Sequence, residues 1–390
     1  MNLCFINPSR SLRPEIYGLA ENLPKKYRIV ILQPSDNVEM RNNFYFRENV
    51  VVKPVPSIFT HISDSTVTLP VPHIWVRELL DVIRLEKIDL IQVCDYEYLT
   101  SLIPIFIKRL RAGIPSVIVN DALLGVENYS FGSRLIDLLS EVYTYSLGLN
   151  VLKSYDRVIF LYKKLARCSR KLGLPEEKIR IIPNGIDMRK IFEIRKKLDA
   201  SSLRRKYGIA EDEKVILYVG RLVKAKRVEI LIKLIKKLLR KNLKVKGLIV
   251  GDGPRRSELE EIARPFASHI KFTGYLSKEK FECYCIADLF VLPSISEGLP
   301  TVLLEAAAFE LPIIATNIYG VPDIVIHGKT GFLINRWDHN RYIEYAEYLL
   351  MNQGFARKMG ENAREHVANN FSWHKIVKEY EKIYEELSLS

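Results

Sequence analysis

Short apolar runs alternate with longer segments of helical periodicity along this chain, and the alternation occurs in two series. Such alternation is typical of parallel sheets whose strands are joined by crossover helices. A charged stretch from Arg189 to Tyr207 separates the two series. We therefore predict an α/β protein with two open sheets, whose strands lie at Asn2–Ile6, Arg28–Leu32, Ile88–Val93, Ser116–Val119, Arg157–Leu161 and Ile179–Ile182, and then at Val215–Val219, Lys246–Val250, Ile270–Phe272, Leu289–Leu292 and Ile313–Ala315.

The chain has 390 residues, a length that suits two hydrophobic cores better than one. We predict a first domain over 1–190 and a second over 191–372. The amphipathic pattern of 373–390 predicts a final helix, which we assign to the first domain, although its apolar face would fit either. The apolar start of the chain is too short for a signal peptide, and no run approaches the roughly 18 apolar residues of a membrane-spanning helix. We therefore expect a cytoplasmic protein.

The net charge is +13, from 59 basic and 46 acidic residues, and predicts attraction to anions. Phosphorylated substrates, nucleic acid and an acidic membrane surface all fit this charge. Because the sequence has no zinc-finger pattern and no aromatic-basic RNA-binding signature, we expect no nucleic-acid partner. Cys283 and Cys285 have no second Cys or His pair at a zinc spacing, so we also expect no metal.

Two glycine turns follow predicted strands of the second series. Gly220-Arg221-Leu222 is followed by Lys226, and such a turn lets backbone amides and cations converge on phosphate. Gly251-Asp252-Gly253-Pro254 follows the next strand, at the end of a parallel strand where open α/β sheets place ligands. Taken alone, each segment fits equally well a solvated basic turn or an ordinary turn.

A third segment combines carboxylates with a helix start. Glu297 lies in a loop after a strand, Pro300 suits the first turn of a helix, and Glu305 lies further along that helix. The amides of Gly298 and Leu299 would face an anion, while the carboxylates could bind sugar and ribose hydroxyls. Both glutamates could instead be solvated surface charges.

These three segments, in this order, resemble the retaining glycosyltransferases of family 4, and similar motifs extend over roughly 156–335. The family's Asn-Gly-x-Asp at the domain junction is similar to Asn184-Gly185-Ile186-Asp187, and a further match is Gly320-Val321-Pro322-Asp323. The resemblance implies a GT-B fold, with two Rossmann-like domains facing across a cleft and the donor bound mainly by the second. It implies transfer of a sugar from a UDP- or GDP-sugar to a sugar or lipid-linked acceptor, with retention of configuration.

By the same resemblance, Arg221 and Lys226 neutralise the donor diphosphate and Glu297 binds the sugar hydroxyls. Arginine and lysine can stabilise a departing diphosphate without metal, and the chain lacks an Asp-x-Asp motif. We therefore expect no cofactor and no metal requirement. The implied donor-binding residues are Gly220, Gly251, Gly253, Tyr275, Leu276, Gly298, Leu299, Pro300, Thr301 and Glu305.

The first domain departs from the family where a histidine is common near the sugar. Here the strand at Ser116–Val119 leads into Asn120-Asp121. Either residue could replace the histidine and join the catalytic set, or the pair could be a plain strand-end turn.

Other departures affect glycines. The glycine after the diphosphate lysine is Arg227, and the first glycine of the pair before Val321-Pro322 is Tyr319. The glycine-rich acceptor loop near the start is replaced by a polar segment. Its candidate acceptor-binding residues are Ser9, Arg10 and Arg13.

Leu102 to Arg111 places apolar and aromatic residues before a basic cluster. A peripheral enzyme could rest such a helix on an anionic membrane to reach a lipid-linked acceptor, although a half-buried crossover helix with a basic end fits the pattern better. Two other functions remain open: a GT-B-fold nucleotide-sugar epimerase, for which we find no paired acids or bases, and a non-catalytic partner subunit that binds nucleotide-sugar.

Overall fold

The computed structural model describes residues 1–9, 12–35, 44–62, 65–70, 72–110, 113–124, 126 and 134–389. The chain divides into two compact units, Met1–Gly185 with Trp373–Ser390, and Ile186–Ser372. The division falls five residues before the predicted boundary at 190 because Ile186 is tied to the second unit. Its amide donates to the Phe371 carbonyl at 2.7 Å.

Strands and helices alternate through most of the described chain. The strands are β1 (Asn2–Ile6), β2 (Arg28–Ser35), β3 (Phe44–Arg47), β4 (Val50–Ile62), β5 (Ser65–Pro70), β6 (Leu90–Cys94), β7 (Ser116–Asn120), β8 (Arg157–Phe160), β9 (Ile179–Ile181), β10 (Lys214–Val219), β11 (Val245–Val250), β12 (Ile270–Gly274), β13 (Leu289–Leu292), β14 (Ile313–Thr316) and β15 (Gly331–Ile334). The helices are α1 (Pro14–Asn22), α2 (Pro72–Leu85), α3 (Leu102–Leu110), α4 (Arg134–Tyr143), α5 (Leu149–Ser154), α6 (Lys163–Lys171), α7 (Met188–Lys197), α8 (Ala200–Tyr207), α9 (Glu229–Arg240), α10 (Arg256–Ala263), α11 (Lys280–Ile286), α12 (Thr301–Ala308), α13 (Val321–Ile324), α14 (His339–Met351), α15 (Gln353–Asn370) and α16 (Trp373–Ser388).

The sheet of the first unit has the strand order β3-β4-β2-β1-β6-β7-β8-β9, and β5 also pairs with β4. Neighbouring strands are parallel except for β3 and β5, which run antiparallel to β4. The central strands are buried along their whole length, as expected for a parallel sheet covered on both faces. The sequence predicted β1, β2 and β6–β9 but missed β3–β5.

The sheet of the second unit is parallel throughout, in the order β12-β11-β10-β13-β14-β15. The chain starts this sheet at β10, builds outward to β12, and then returns to the other side of β10 with β13. This reversal is the topological switch point, beside which open α/β sheets bind ligands at the carboxyl ends of the strands. The sequence missed only β15 among these strands.

The last helix, α16, packs on the first unit. Its apolar stripe is buried, and the Tyr384 hydroxyl donates to the buried Gln92 side-chain oxygen at 2.6 Å. Trp373 fills a space that Gly18 leaves open, since a Cβ on Gly18 would lie 1.7 Å from the indole ring. Among the described helices, none has the length and apolarity to cross a membrane.

Candidate functional site

Glycines hold the loops after β10 and β11 against each other at the carboxyl edge of the second sheet. Gly251 has φ +134°, and a Cβ there would lie 1.9 Å from the Gly220 carbonyl oxygen. Gly253 has φ +158°, and its Cβ would lie 2.6 Å from the Leu222 carbonyl oxygen. The Leu222 amide also donates to the Asp252 carbonyl at 2.8 Å. Only glycine allows this approach, so the two predicted turns form one surface.

The loop after β12 adjoins this surface. The Gly251 amide donates to the Gly274 carbonyl at 2.8 Å, which places the predicted donor residues Tyr275 and Leu276 directly after the contact. The Tyr275 side chain is 76% exposed. A ring with this exposure is accessible for stacking.

Arg221 presents a free guanidinium beside these loops. Its side chain is exposed and contacts no acceptor among the residues that the structure describes. The backbone of the same residue is fixed, because the buried Tyr218 hydroxyl donates to its carbonyl oxygen at 3.0 Å. A fixed turn that carries an unpaired cation can bind an anion with little reorganisation.

Lys226 and Glu297 meet across the switch point between β10 and β13. The Lys226 Nζ donates to the Glu297 carboxylate at 2.6 Å and lies 3.3 Å from the Ser296 carbonyl oxygen. The two side chains are only 17% and 9% exposed. A hydrogen bond from the Ile295 amide to the Ala225 carbonyl oxygen, at 2.8 Å, fixes the loops that carry these two side chains. The residues predicted for diphosphate and for sugar therefore pair with each other here.

The start of α12 points backbone donors at the same edge. The amides of Gly298 and Leu299 donate to no residue in the described ranges, and the first helical residue is Thr301. Pro300 occupies the capping position before the helix, one residue earlier than the first turn in which we predicted it. Free amides at a helix start favour an anion.

Glu305, further along α12, is held by two donors that the sequence did not predict. Lys280 donates to one carboxylate oxygen at 2.6 Å, and the Tyr284 hydroxyl donates to the other at 3.0 Å. Burial, together with the Glu305 charge, raises the pKa of Tyr284 well above its ordinary value, so the hydroxyl stays a donor. A carboxylate has about four acceptor positions, so Glu305 can still accept further hydrogen bonds.

The two family glycines that this chain replaces lie at left-handed backbone positions. Arg227 has φ +50° and Tyr319 has φ +46°. Such conformations disfavour side chains other than glycine. At Arg227, contacts offset this strain, because the guanidinium donates to the Arg336 carbonyl at 2.9 Å and lies 5.2 Å from the centre of the Trp337 ring.

A second group of predicted residues meets at the carboxyl edge of the first sheet. The Arg13 guanidinium pairs with Asp95 and lies 3.5 Å from Asp121. Burial lowers the pKa of Arg13, but the carboxylates of Asp121 and Glu15 outweigh it and raise that pKa above its ordinary value. No motif in the sequence singled out Asp95, although this residue follows β6 as Asp121 follows β7.

The structure distinguishes between Asn120, the last residue of β7, and Asp121, which follows the strand. Asn120 is fully buried, and its side-chain oxygen accepts from the Tyr96 amide at 3.0 Å. The Asp121 side chain is 33% exposed. Asp121 is therefore the more accessible of the two to a ligand.

The predicted acceptor-binding residues follow β1. Ser9 is partly exposed, and the Arg13 amide donates to the Asn7 side-chain oxygen at 3.2 Å. Arg10 lies outside the described residues. Arg13 is thus the member of this set that the structure connects to Asp121.

Glu97 adds a third carboxylate to this edge. The carboxylate oxygens of Asp95, Glu97 and Asp121 lie within 4.8 Å of one another, a spacing at which carboxylates can share a cation. The cation that the structure shows at Asp95 and Asp121 is the Arg13 guanidinium. Burial, with the Asp121 charge added, raises the pKa of Glu97 to about 7.

Comparison with known families matches both units. A model of the glycosyl transferases group 1 matches residues 199–366, and a model described as Glycosyltransferase Family 4 matches residues 16–190. The matched regions include the candidate donor-binding residues together with Asn120 and Asp121, whereas Ser9, Arg10 and Arg13 precede residue 16.

Curated relatives match with moderate identity. The chain is 33% identical over 231 residues to the N-acetyl-alpha-D-glucosaminyl L-malate synthase of Bacillus anthracis, covering 59% of each protein. It is 33% identical over 205 residues to the capsular polysaccharide biosynthesis glycosyltransferase CapM of Staphylococcus aureus, covering 52% of each. The matches thus span somewhat more than half the length of these relatives.

Solved structures match over the whole chain. Sucrose-phosphate synthase from Thermosynechococcus elongatus superposes with a TM-score of 0.77 at 19% identity, covering 99% of both chains. Anabaena HepE in complex with UDP-glucose gives a TM-score of 0.77 at 18% identity, covering 99% of this chain and all of the other. At this identity the likeness shows the fold, and it confirms the predicted GT-B class.

Proposed function

The chain belongs to the family 4 glycosyltransferases, and from this premise we propose that it transfers a sugar from a nucleotide-diphosphate donor to a sugar or lipid-linked acceptor. The observation that carries the proposal is the Arg221 guanidinium, which pairs with none of the described residues and follows β10 at the switch point of the second sheet, where the neighbouring strand β13 leads to the amides that precede α12. The UDP-glucose complex of HepE supports a UDP-sugar as the donor, with a GDP-sugar as the alternative.

Charge stabilisation of the leaving diphosphate is the main catalytic task of this site. Arg221 binds the diphosphate first because its guanidinium pairs with no other group in the described part of the chain. The amides of Gly298 and Leu299 add neutral donors to the same group. Preorganised donors of this kind stabilise charge that develops as the sugar–phosphate bond breaks.

When the donor binds, Lys226 and Glu297 separate from each other and each pairs with a group of the donor. Lys226 turns toward the diphosphate and Glu297 accepts from the sugar hydroxyls, so each charge keeps a partner. Their low exposure makes these contacts stronger than in water. Glu305, already oriented by Lys280 and Tyr284, accepts from the ribose hydroxyls.

Transfer proceeds with retention of configuration, without a metal and without a dedicated nucleophile. Retention is tested by the anomeric coupling constants of donor and product in proton NMR; an inverted product contradicts it. If no metal is needed, turnover is unchanged in excess chelator. Loss of turnover in chelator, with recovery on addition of magnesium or manganese, would contradict metal independence.

The acceptor is bound by the first unit, at Arg13, Asp121 and Ser9. The accessible carboxylate of Asp121 accepts from an acceptor or sugar hydroxyl, and Arg13 holds that carboxylate in place. Asp121→Asn keeps the shape of the side chain and removes its charge. We expect the variant to have a higher KM for the acceptor, with an unchanged dissociation constant for nucleoside diphosphate.

Turnover with a panel of nucleotide-sugars, with and without membrane lipid extract, tests the function. We expect the extract to stimulate the release of UDP or GDP, and a sugar-bearing product to form. Conversion of the donor to an epimer identifies an epimerase instead, and binding without turnover identifies a non-catalytic partner.

Matched variants test the assignment of the site. Arg221→Ala and Glu297→Ala are expected to lose most of the turnover. Arg341→Ala is the control, because Arg341 is an exposed arginine of α14 that pairs with Glu344 in the same unit. Full activity in both site variants would refute the assignment.

Contact with an anionic membrane is a secondary part of the proposal. Ile103 and Ile107 of α3 are buried and Lys108 pairs with Asp156 at 2.6 Å, which supports a crossover helix. Phe106, however, is 59% exposed. We expect the unaltered chain to co-float with acidic liposomes at low salt and Phe106→Ser to co-float less. If the unaltered chain does not co-float, the membrane hypothesis is refuted.

A further inference from the structure

A cavity of about 470 Å³ lies in the second unit at the opposite edge of the sheet from the donor loops. Its lining includes residues at the amino ends of β10, β13 and β14, namely Lys214, Asp288 and Pro312. Volumes of about 300–1,000 Å³ are typical of small-molecule sites. None of the residues assigned above to donor or acceptor lines it.

The charged residues of the cavity wall leave a surplus of cations. The cations are Arg195, Lys214 and Arg357, and the anions are Glu310 and Asp288. Both carboxylates already have donors. Glu310 pairs with Arg195 at 2.8 Å and with Arg364, outside the cavity, at 2.9 Å.

Asp288 is satisfied in the same way, since it accepts from Lys214 at 3.2 Å and from the Val215 amide at 2.8 Å. Arg357 is 81% exposed, and its carboxylate neighbour, Glu361, is 3.9 Å away. The wall therefore offers donors to a ligand, whereas its carboxylates need none from it. This chemistry favours an anion.

The rest of the lining is apolar or consists of backbone. Phe309, Leu349 and Leu350 are buried and form an apolar surface. Gln353 and Gly354 begin α15, which has no side-chain cap and no acidic residue in its first turn. The start of this helix adds to the preference for an anion, and the apolar surface suits a ligand with an apolar group.

One wall residue connects the cavity to the donor site. The Phe309 ring stacks on the Tyr284 ring at a centroid distance of 5.6 Å, and the Tyr284 hydroxyl donates to Glu305. The helix α12 also runs between the two places, from Thr301 at the donor edge to Ala308, which adjoins the cavity. A ligand that displaces Phe309 would thus alter the support of Glu305.

We propose that this cavity is an effector site for a small organic anion, a phosphate or carboxylate attached to an apolar group, whose binding changes the affinity for nucleoside diphosphate. The anion contacts Arg195 and Arg357, and the apolar group packs on Phe309. The coupling, but not the site, rests on the proposed function of the donor edge. Linkage requires that nucleoside diphosphate change the affinity for the anion by the same factor.

Cys285 gives a local readout, because it lines the cavity and is the one cysteine of the five that is not buried. The main probe is phenyl phosphate, and benzoate tests a carboxylate in place of the phosphate. Inorganic phosphate tests the anion without an apolar group, and benzyl alcohol tests the apolar group without a charge. We expect phenyl phosphate or benzoate to slow alkylation of Cys285 by iodoacetamide at least threefold, and benzyl alcohol to have no effect.

Arg195→Gln and Arg357→Gln are each expected to raise the phenyl phosphate concentration needed for half-maximal protection at least fivefold, whereas the control Arg341→Gln leaves it unchanged. A phosphorus NMR titration of phenyl phosphate gives a second readout, in the Arg221→Ala background that lacks the free donor-site cation. If Cys285 alkylation and the NMR signal are both unchanged by millimolar probe, or if the two cavity variants bind as the control does, the site is refuted.

Coupling is tested on the unaltered chain by repeating the Cys285 protection titration with phenyl phosphate in the absence and in the presence of saturating UDP, after UDP binding to that chain has been measured directly. A changed midpoint for phenyl phosphate is expected. An unchanged midpoint in a protein that binds UDP overturns the coupling and leaves the site, and a protein that binds no UDP contradicts the proposed function separately.

Discussion

At the scale of single residues, the charged side chains of the donor edge differ in what they already contact. Arg221 is unpaired among the described residues, Lys226 and Glu297 pair with each other, and Glu305 has two donors. The sequence predicted these four residues because the segments that carry them, in this order, resemble the motifs of the family 4 glycosyltransferases. It missed Lys280, because no local pattern brings residues of α11 and α12 together.

The Tyr284 hydroxyl gives a test of the support for Glu305. Tyr284→Phe keeps the ring stack and removes one hydrogen bond, so we expect a loss of about 1 kcal/mol in the free energy of unfolding and weaker UDP binding. Urea denaturation and calorimetric titration measure the two effects. Tyr348→Phe, at a 44% exposed position, is the control, and equal behaviour of the two variants would count against this role.

Glu97 predicts a pH dependence of stability. Its pKa of about 7 in the fold lies above its ordinary value, so the folded chain holds this proton more tightly than the unfolded chain. As the pH rises through the interval between these values, this group lowers the stability, and above pH 7 the loss is complete. Arg13, Asp95, Asp121 and Glu15 are the charged groups that face it.

Glu97→Gln removes this ionisation. The variant is therefore expected to gain stability relative to the unaltered chain as the pH is raised from 4.5 to 8. Urea midpoints at the two pH values measure the difference. A difference that is the same at both would mean that Glu97 titrates normally in the fold.

At the scale of elements, glycine turns bring neighbouring strand ends into contact. The turns at Gly220 and Gly251 were predicted from the sequence, but their mutual contact is a tertiary feature. Pro54 and Pro56 interrupt the apolar pattern of β4, and proline argues against a strand within a sheet, so β4 was missed together with β3 and β5, which pair with it. Periodicity thus predicts the repeated βα units better than it predicts irregular edges.

Gly251→Ala tests the contact between the turns. Its Cβ would meet the backbone of Gly220, so we expect a loss of stability of more than about 2 kcal/mol and loss of UDP binding. Gly208→Ala is the control, because Gly208 also has positive φ but nothing within 4 Å of the added Cβ, and about 1 kcal/mol is expected. Thermal denaturation measures the stability of the two variants. Equal losses of stability would show that the contact between the turns is not tight.

At the scale of the whole molecule, the chain leaves the first unit after Gly185 and returns to it with α16. The alternation of apolar and helical segments predicted two α/β units, and the amphipathic period predicted the last helix. Which unit that helix joins depends on Trp373 and on the space left by Gly18, and no periodicity encodes such a fit.

Deletion of Trp373–Ser390 tests this division. It removes the helix that covers the first unit and exposes Gln92, so we expect rapid proteolysis within Met1–Gly185 and protection of Ile186–Ser372. Limited proteolysis with mass spectrometry locates the cuts. Lys378→Gln, on the exposed face of α16, should leave the pattern unchanged, and equal protection of both units after the deletion would contradict the division.

The central claim is that the carboxyl edge of the second sheet binds the diphosphate of the donor through Arg221. Calorimetric titration of the full chain with UDP and GDP, for the unaltered protein, Arg221→Ala and Arg341→Ala, tests it most directly. Loss of a charge-assisted hydrogen bond predicts at least about tenfold weaker binding of the preferred nucleotide in Arg221→Ala. The control should bind as the unaltered protein does. Equal affinities for all three proteins, or no binding of either nucleotide, would contradict the account.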